Sequence, residues 1–346
     1  MISFRPLAVK LAKTIRRPMP DLFEGAQDTW QAAPGGERHV PPAICLPGQI
    51  DRISDTEFAP LDTVIRSFRG GFDTVEQPTI GYRLENVDLV DGVLYAKGRQ
   101  RHLRARQSQR LSYPVPREAM RGAMYESWLG NRWFGNWLSD DCLTYMLAAA
   151  AGQPITTATD PTGHVPRYET LLQMTPQRRQ SVHFDELILF DDLPNNAGKA
   201  QRARDMRDRL LAGRTIRPVP GVFLLRGKTG DRRVLENELE IAEHLAATRG
   251  FSVLDPTAAT VDQIADLCGH AAVIAGVEGS HLVHGLAMMP PGAVLFVIQP
   301  ADRTVAALKT VTDRQDQKYA FVVAGGGKER FCVDPGDVLR TLDLFV

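Results

Sequence analysis

Two short segments of this chain carry residue types suited to gripping phosphate. The first is Leu225-Arg226-Gly227-Lys228-Thr229-Gly230-Asp231-Arg232-Arg233, which follows an apolar run and offers Arg226, Lys228, Arg232 and Arg233 as cations. The planar fork of arginine matches phosphate oxygens in pairs. Gly227-Lys228-Thr229 has the letters that end a P-loop, but Val222 stands where that motif requires glycine and the residues between read as strand, so a P-loop is rejected. A solvated basic loop would have the same composition; its position just outside a strand end is what favours binding.

The second segment is Ala275-Gly276-Val277-Glu278-Gly279-Ser280-His281, between an apolar strand and a helix. Gly276 and Gly279 would permit a sharp turn and close approach of a ligand to backbone. Ser280 suits a helix N-cap, which would turn the following N–H groups towards a diphosphate. Glu278 could accept hydrogen bonds from sugar or ribose hydroxyls. A purely structural β–α turn would use the same glycines and serine. His281 and His284 share a helical face, yet no third ligand stands at a supporting spacing, so no metal site is read here.

Both segments need a scaffold that brings strand ends together. Pro218 and Pro220 mark a linker, and beyond it the pattern alternates regularly. Strands are predicted at Val222–Leu225, Phe251–Leu254, Ala271–Ala275 and Ala293–Ile298. Helices are predicted at Asn237–Arg249, closed by Gly250, and at Val261–Cys268 and His281–Met289. That alternation implies right-handed βαβ units and a parallel sheet, a Rossmann-like α/β domain. Upstream, Asp91-Gly92 between two alternating runs predicts a hairpin, and helical zones are read at 117–128 and 137–151. One strand and one helix are expected between 152 and 180. Glu186–Phe190 reads as a buried parallel strand, and 197–212 as a charged helix stopped by Gly213. The first 80 residues are rich in Pro and Gly and are left unassigned.

Composition sets the class. The 346 residues contain 41 Lys plus Arg and 41 Asp plus Glu, so no global field favours nucleic acid; the one local patch is the run Arg99–Arg106. Two domains are expected at this length. Cys45, Cys142, Cys268 and Cys332 form no metal-binding pair and fit a reducing, cytoplasmic setting. Residues 3–17 are basic and amphipathic, which suits either a helix packed on its own domain or a peripheral membrane contact.

The order of features from the arginine loop onwards resembles glycosyltransferase family 61. The loop and Arg233-Val-Leu-Glu-Asn237-Glu238 are followed by Arg249-Gly250-Phe251-Ser-Val-Leu-Asp255-Pro256, then Ala271–Gly276, Glu278-Gly279-Ser280-His281-Leu282 and Pro290-Pro291-Gly292-Ala293. The family usually has Gly-x-His-Gly-Ala-x-Leu at the turn, so Glu278 and Ser280 depart from its commonest form. Upstream, Trp133-Phe134-Gly135-Asn136-Trp137-Leu138-Ser139-Asp140 is similar to a family segment in which a His stands where this chain has Asn136.

The resemblance implies a GT-B fold, two Rossmann-like domains facing a cleft. The N-terminal, acceptor-side domain would span 1–215 and the donor-binding domain 216–325, with 326–346 returning to the N-terminal domain. It implies inverting, metal-independent sugar transfer from a nucleotide donor, UDP-linked, to a saccharide hydroxyl in surface polysaccharide synthesis, with no resident cofactor. Arg226, Lys228, Arg233, Asn237, Glu278, Gly279, Ser280 and His281 would bind the donor, Asn237 and Glu238 serving alternatively to orient the helix they open. Trp133, Asn136 and Trp137 would lie on the acceptor side, with core packing the competing role for the tryptophans. Asp140 is the candidate general base and Asp141 the runner-up. A non-catalytic binding homologue and a polysaccharide pyruvyltransferase-like enzyme are the competing readings.

Overall fold

The computed structural model describes residues 1–14, 21–105, 111–157, 160–215, 217–228, 233–327 and 329–346. Ile15, Arg16 and Arg17 of the basic N-terminal stretch, Arg106 of the arginine run and Arg232 of the cationic loop lie outside the described residues. The chain divides into two compact units, Met1–Gly35 with Gln77–Arg202 and Gly36–Glu76 with Ala203–Val346.

In the first unit the strands β1 (Asp28–Ala33), β2 (Thr79–Val90), β3 (Val93–Ala96), β4 (Arg99–His102), β5 (Ala119–Met124), β6 (Pro154–Thr156), β7 (Gln177–Arg178) and β8 (Ser181–Asp191) share one sheet. Its order is β7-β6-β5-β8-β2-β3-β4, with β1 also on β2. Asp91 and Gly92 adopt φ of 51° and 69° and set Val90 opposite Val93, the two-residue hairpin their types favour. The sheet is mixed: β2 pairs antiparallel with β8, β1 and β3, whereas β5 runs parallel to β6 and β8. The N-terminal half therefore departs from the expected Rossmann-like sheet, because its tight turn forces antiparallel neighbours. A second correction falls at 119–124, read from sequence as helix. Flanked on both sides by parallel partners, it is a strand, and Gly122 lets Ile155 approach where a Cβ would stand 2.7 Å from its Cγ1. Helix α1 (Cys142–Ala151) follows, and α2 (Ala197–Leu211) begins in this unit and passes into the second at Ala203. The helix Arg5–Thr14 is tied by Arg5 to the Asp88 carboxylate and the Tyr95 carbonyl.

The second unit holds β9 (Val222–Leu224), β10 (Val234–Leu235), β11 (Ser252–Leu254), β12 (Val273–Val277), β13 (Val294–Pro300), β14 (Lys318–Gly327) and β15 (Arg330–Cys332), with helices α3 (Glu238–Arg249), α4 (Val261–Cys268), α5 (Leu282–Leu286), α6 (Ala307–Arg314) and α7 (Pro335–Leu342). Strands β9, β12 and β13 are buried along their whole length, which accounts for their unbroken apolar sequences. Five strands lie parallel in the order β11-β9-β12-β13-β14. Counted from β9, that is a 2-1-3-4-5 doubly wound sheet, whose connections leave in opposite directions from β9 and β12. In such sheets the ligand crevice lies outside the carboxyl ends of those two strands. Gly250, at φ 68°, ends α3 in the left-handed conformation, and a Thr260–Gln263 capping box starts α4.

Residues 36–76 join this unit through backbone, Ile44 donating to Tyr319 and accepting from Phe321, while Phe68 stacks on Phe321 at 4.5 Å. Residues 326–346 belong to the second unit: β15 runs antiparallel to β14, and Val338 and Leu342 of α7 enter the same core as Phe296 and Val322. All four cysteines are free thiols. No helix among the described residues is long and apolar enough to cross a membrane.

Candidate functional site

The loops after β9 and β12, the two strands at the reversal of winding, carry the two chemically loaded segments. They meet. The Arg226 guanidinium occupies the space a Gly279 side chain would fill, its Nη1 lying far inside van der Waals range of a Cβ built there. Arg233 pairs with the Glu278 carboxylate and donates to the Glu278 carbonyl oxygen at 3.3 Å. Arg226, Arg233 and Glu278 are all buried. A third guanidinium, Arg303, follows β13 and stands 3.4 Å from the same Glu278 oxygen. Three adjacent strand ends thus bring Arg233 and Arg303 onto one carboxylate and Arg226 against the neighbouring Gly279, a set of guanidiniums whose forks suit the oxygens of a diphosphate.

Several residues take roles different from those expected. Glu278 is engaged by Arg233 and Arg303, so it holds the cations rather than presenting a bare carboxylate. Glu238 accepts the Arg226 amide at 2.7 Å and the Gly227 amide at 2.8 Å, clamping the arginine loop from the first turn of α3; burial raises its pKa, opposed by those two amides and Arg226. Asn237 pairs its side-chain amide with the backbone of Val333, donating at 2.8 Å and accepting at 3.2 Å, so it fastens β15 and makes no side-chain cap. Gly276 lies inside β12 rather than in the turn, where a Cβ would stand 2.6 Å from the Leu224 carbonyl oxygen of β9. The helix expected from His281 is the short α5, and its N-cap is His281, without a side-chain bond, in place of Ser280. Lys228 is exposed.

His281 turns its ring back into the turn, Nδ1 near Gly279 and Nε2 near Gly276, and both nitrogens are shielded from solvent. Burial first, then Arg226, His284 and Arg233, holds this imidazole well below its ordinary pKa. It is neutral at pH 7 and adds no charge of its own to the arginine cluster.

In the first unit, Asp140 lies in a wide π-turn, Trp137–Asp141, that leads into α1; such turns recur at functional sites. Its Oδ1 contacts the Lys199 ammonium at 2.8 Å, and its Oδ2 accepts from Asn136 at 3.2 Å and Ser139 at 3.0 Å. Asn136 therefore orients the acid rather than replacing it. Lys199, 1% exposed, also donates to the Asp192 carbonyl at 2.6 Å. Asp141 is sealed beneath Gly130 and accepts from the Ser127 amide at 3.1 Å. Burial raises its pKa well above the ordinary carboxylate value, against Ser127 and with Glu126 and Asp140 adding to the rise; at 2% exposure it is less well placed than Asp140 to meet an acceptor hydroxyl.

Asp140 and Asp141 open on a cavity of about 190 Å³ also lined by Glu126, Asp192, Phe23 and Trp128. The tryptophan in that lining is Trp128, 38% exposed. Trp137 instead packs on Phe134 and Tyr168, and Trp133 lies under the Arg132 guanidinium. Sequence reading missed Trp128, Lys199 and Arg303. Only Arg303 carried a signal, a cation just past a strand end. No cluster of three or more His, Cys, Asp or Glu among the described residues is arranged to hold a metal ion.

Residues 134–296 match the family model described as Glycosyltransferase 61. No curated protein matches the chain.

Proposed function

Taking the chain as a glycosyltransferase of family 61, matched over residues 134–296, we propose that it transfers a sugar with inversion from a nucleoside diphosphate donor, UDP-linked, to a saccharide hydroxyl in surface polysaccharide synthesis, in the GT-B manner. The second unit holds the donor, and the first carries the acceptor and the base. The observation that carries this reading is the meeting of Arg226 with the Glu278–His281 turn at the reversal point of a doubly wound sheet.

The chemistry follows from the charges. Asp140 takes the proton of the acceptor hydroxyl as its oxygen attacks the anomeric carbon. The bond from that carbon to the diphosphate breaks with its electron pair, and the departing charge falls to Arg226, Arg233 and Arg303. Fixed guanidiniums in a buried site need no reorganisation to receive it. Glu238 and Glu278 hold the arginines in place, and neutral His281 avoids a further buried cation. At the other end of the chain, Ile2, Phe4 and Leu11 are exposed around the helix Arg5–Thr14, which favours a peripheral membrane contact there.

The test is a titration with UDP beside an assay of UDP release from UDP-sugars with a saccharide acceptor. Arg226→Ala should weaken UDP binding about tenfold or more, the worth of one charge-assisted hydrogen bond. Asp140→Asn should abolish transfer with UDP affinity unchanged. Wild-type protein that binds no nucleoside diphosphate, or an Arg226→Ala variant that binds UDP normally, overturns the donor site. Binding without any turnover favours the non-catalytic homologue.

A further inference from the structure

Beside the arginine cluster the chain presents an aromatic side chain in a conformation that only a special requirement explains. Phe58 has φ 70°, a left-handed backbone that strains a non-glycine residue and is rare for a bulky one. Its side chain is 63% exposed. The loop that holds it is over-determined: Ser54 donates to the Ala301 carbonyl, Thr304 to Asp55 and Glu57 to Thr304, Thr56 and Thr304 form a parallel bridge, and the Thr56 hydroxyl donates to the Ala59 carbonyl at 2.7 Å. Thr304 itself is fully buried. Relaxation is blocked on every side, and the outcome is an apolar ring held out into water.

Arg303 ties this ring to the diphosphate site. Its guanidinium carbon lies 5.5 Å from the Phe58 ring centroid, its Nε 3.5 Å from Glu57 and its Nη1 3.4 Å from Glu278. One arginine side chain therefore spans from the carboxylate that holds Arg233 to the face of an exposed aromatic. Phosphate-binding groups with a flat aromatic one side chain away are the parts needed to hold a nucleotide, whose base offers a π-face of any identity.

We infer that Phe58 is the stacking platform for the nucleobase of the donor, with Arg303 fixing its distance from the arginines that take the diphosphate. The inference rests on the donor-site reading above, and its test separates the two. Wild type, Phe58→Ala and Phe58→Tyr are titrated by calorimetry with UDP and, separately, with inorganic pyrophosphate, which has the anionic groups and no base. Wild type should bind both. Phe58→Ala should lose about tenfold in UDP affinity, the usual strength of base–aromatic stacking, with pyrophosphate affinity unchanged, and Phe58→Tyr should restore UDP binding. A Phe58→Ala protein that binds UDP as wild type does, or that loses UDP and pyrophosphate equally, overturns the stacking role while leaving the arginine site standing. Wild type that binds neither probe overturns the donor site, and this inference with it.

Discussion

Arg226 and Gly279 are complementary: the guanidinium of one lies where a side chain on the other would be. Glycine is required there by space, since any Cβ would push the cation out of its buried position. Gly279→Ala should therefore act as a displacement of Arg226. UDP affinity should fall about tenfold, as expected when one charge-assisted hydrogen bond is broken, and the melting temperature of the free protein should fall as well, because Gly279 has φ 156°, where a side chain strains the backbone. Calorimetric titration beside a thermal melt measures both. A large drop in melting temperature with unaltered affinity would mean that the turn matters only for folding.

Glu278 between Arg233 and Arg303 sets stability against binding. Removing one partner of a buried charge group costs about 3–5 kcal/mol when the remaining charge is left uncompensated. Glu278→Gln should lower the melting temperature of the free protein, since two buried guanidiniums lose their shared carboxylate. The same change leaves more positive charge to meet a dianion, so the rise in melting temperature on adding saturating UDP should be larger than in wild type. Differential scanning with and without UDP reads both, and a smaller UDP-induced rise would refute this account of the carboxylate.

How much of this was legible beforehand divides along physical lines. The second unit announces itself because buried parallel strands need unbroken apolar runs and because Gly250 sits where only positive φ will serve, as Asp91-Gly92 does at the hairpin of the first unit. The order of the loops that carry Arg226 and Glu278 was legible for the same reason, each following such a run. Residues 119–124 were not, since Ala-Met-Arg-Gly-Ala-Met favours helix locally and becomes strand only through its neighbours β6 and β8. Nor was the attachment of residues 36–76, whose backbone bonds from Ile44 and ring contact from Phe68 reach Tyr319 and Phe321, far along the chain. Glu238 and Asn237 show the remaining limit. Their types suggested ligand binding or capping, but which amides and carbonyls stand opposite is a fact of tertiary structure.

His281 makes stability depend on pH in a definite direction. Its pKa in the folded protein lies well below the 6.5 of an exposed imidazole. As pH falls through 6.5 the unfolded chain takes up a proton that the folded chain refuses, so stability declines. The decline continues until the folded pKa is reached, with a slope of at most about 1.4 kcal/mol per pH unit from this group. Urea unfolding of wild type and His281→Gln between pH 7.5 and pH 5, as rough limits bracketing that range, should show a steeper loss in wild type. Parallel curves would show that the imidazole titrates normally. A bound diphosphate would favour the protonated ring, so UDP should bind with proton uptake at mildly acidic pH, visible as a binding enthalpy that depends on the buffer.

Lys199 should matter to turnover without touching the donor. Its ammonium is buried against the Asp140 carboxylate and the Asp192 carbonyl, while Asp192 is itself held by Arg202, Thr79 and Thr144. Lys199→Met keeps most of the side chain's volume and removes the charge that fixes the Asp140 carboxylate. With Asp140 no longer fixed for the proposed role of base, kcat should fall by about a hundredfold, in the range by which a positioned general base contributes, and KM for the nucleotide sugar should stay within about twofold, a change of under 1 kcal/mol. Some stability is lost as well, because a half-buried carboxylate loses its partner, so the comparison requires a temperature at which both proteins are folded by circular dichroism. Steady-state kinetics with the donor varied at saturating acceptor separates the parameters. A rise in donor KM with kcat preserved would place Lys199 on the donor's side of the reaction and remove Asp140 from the role of base.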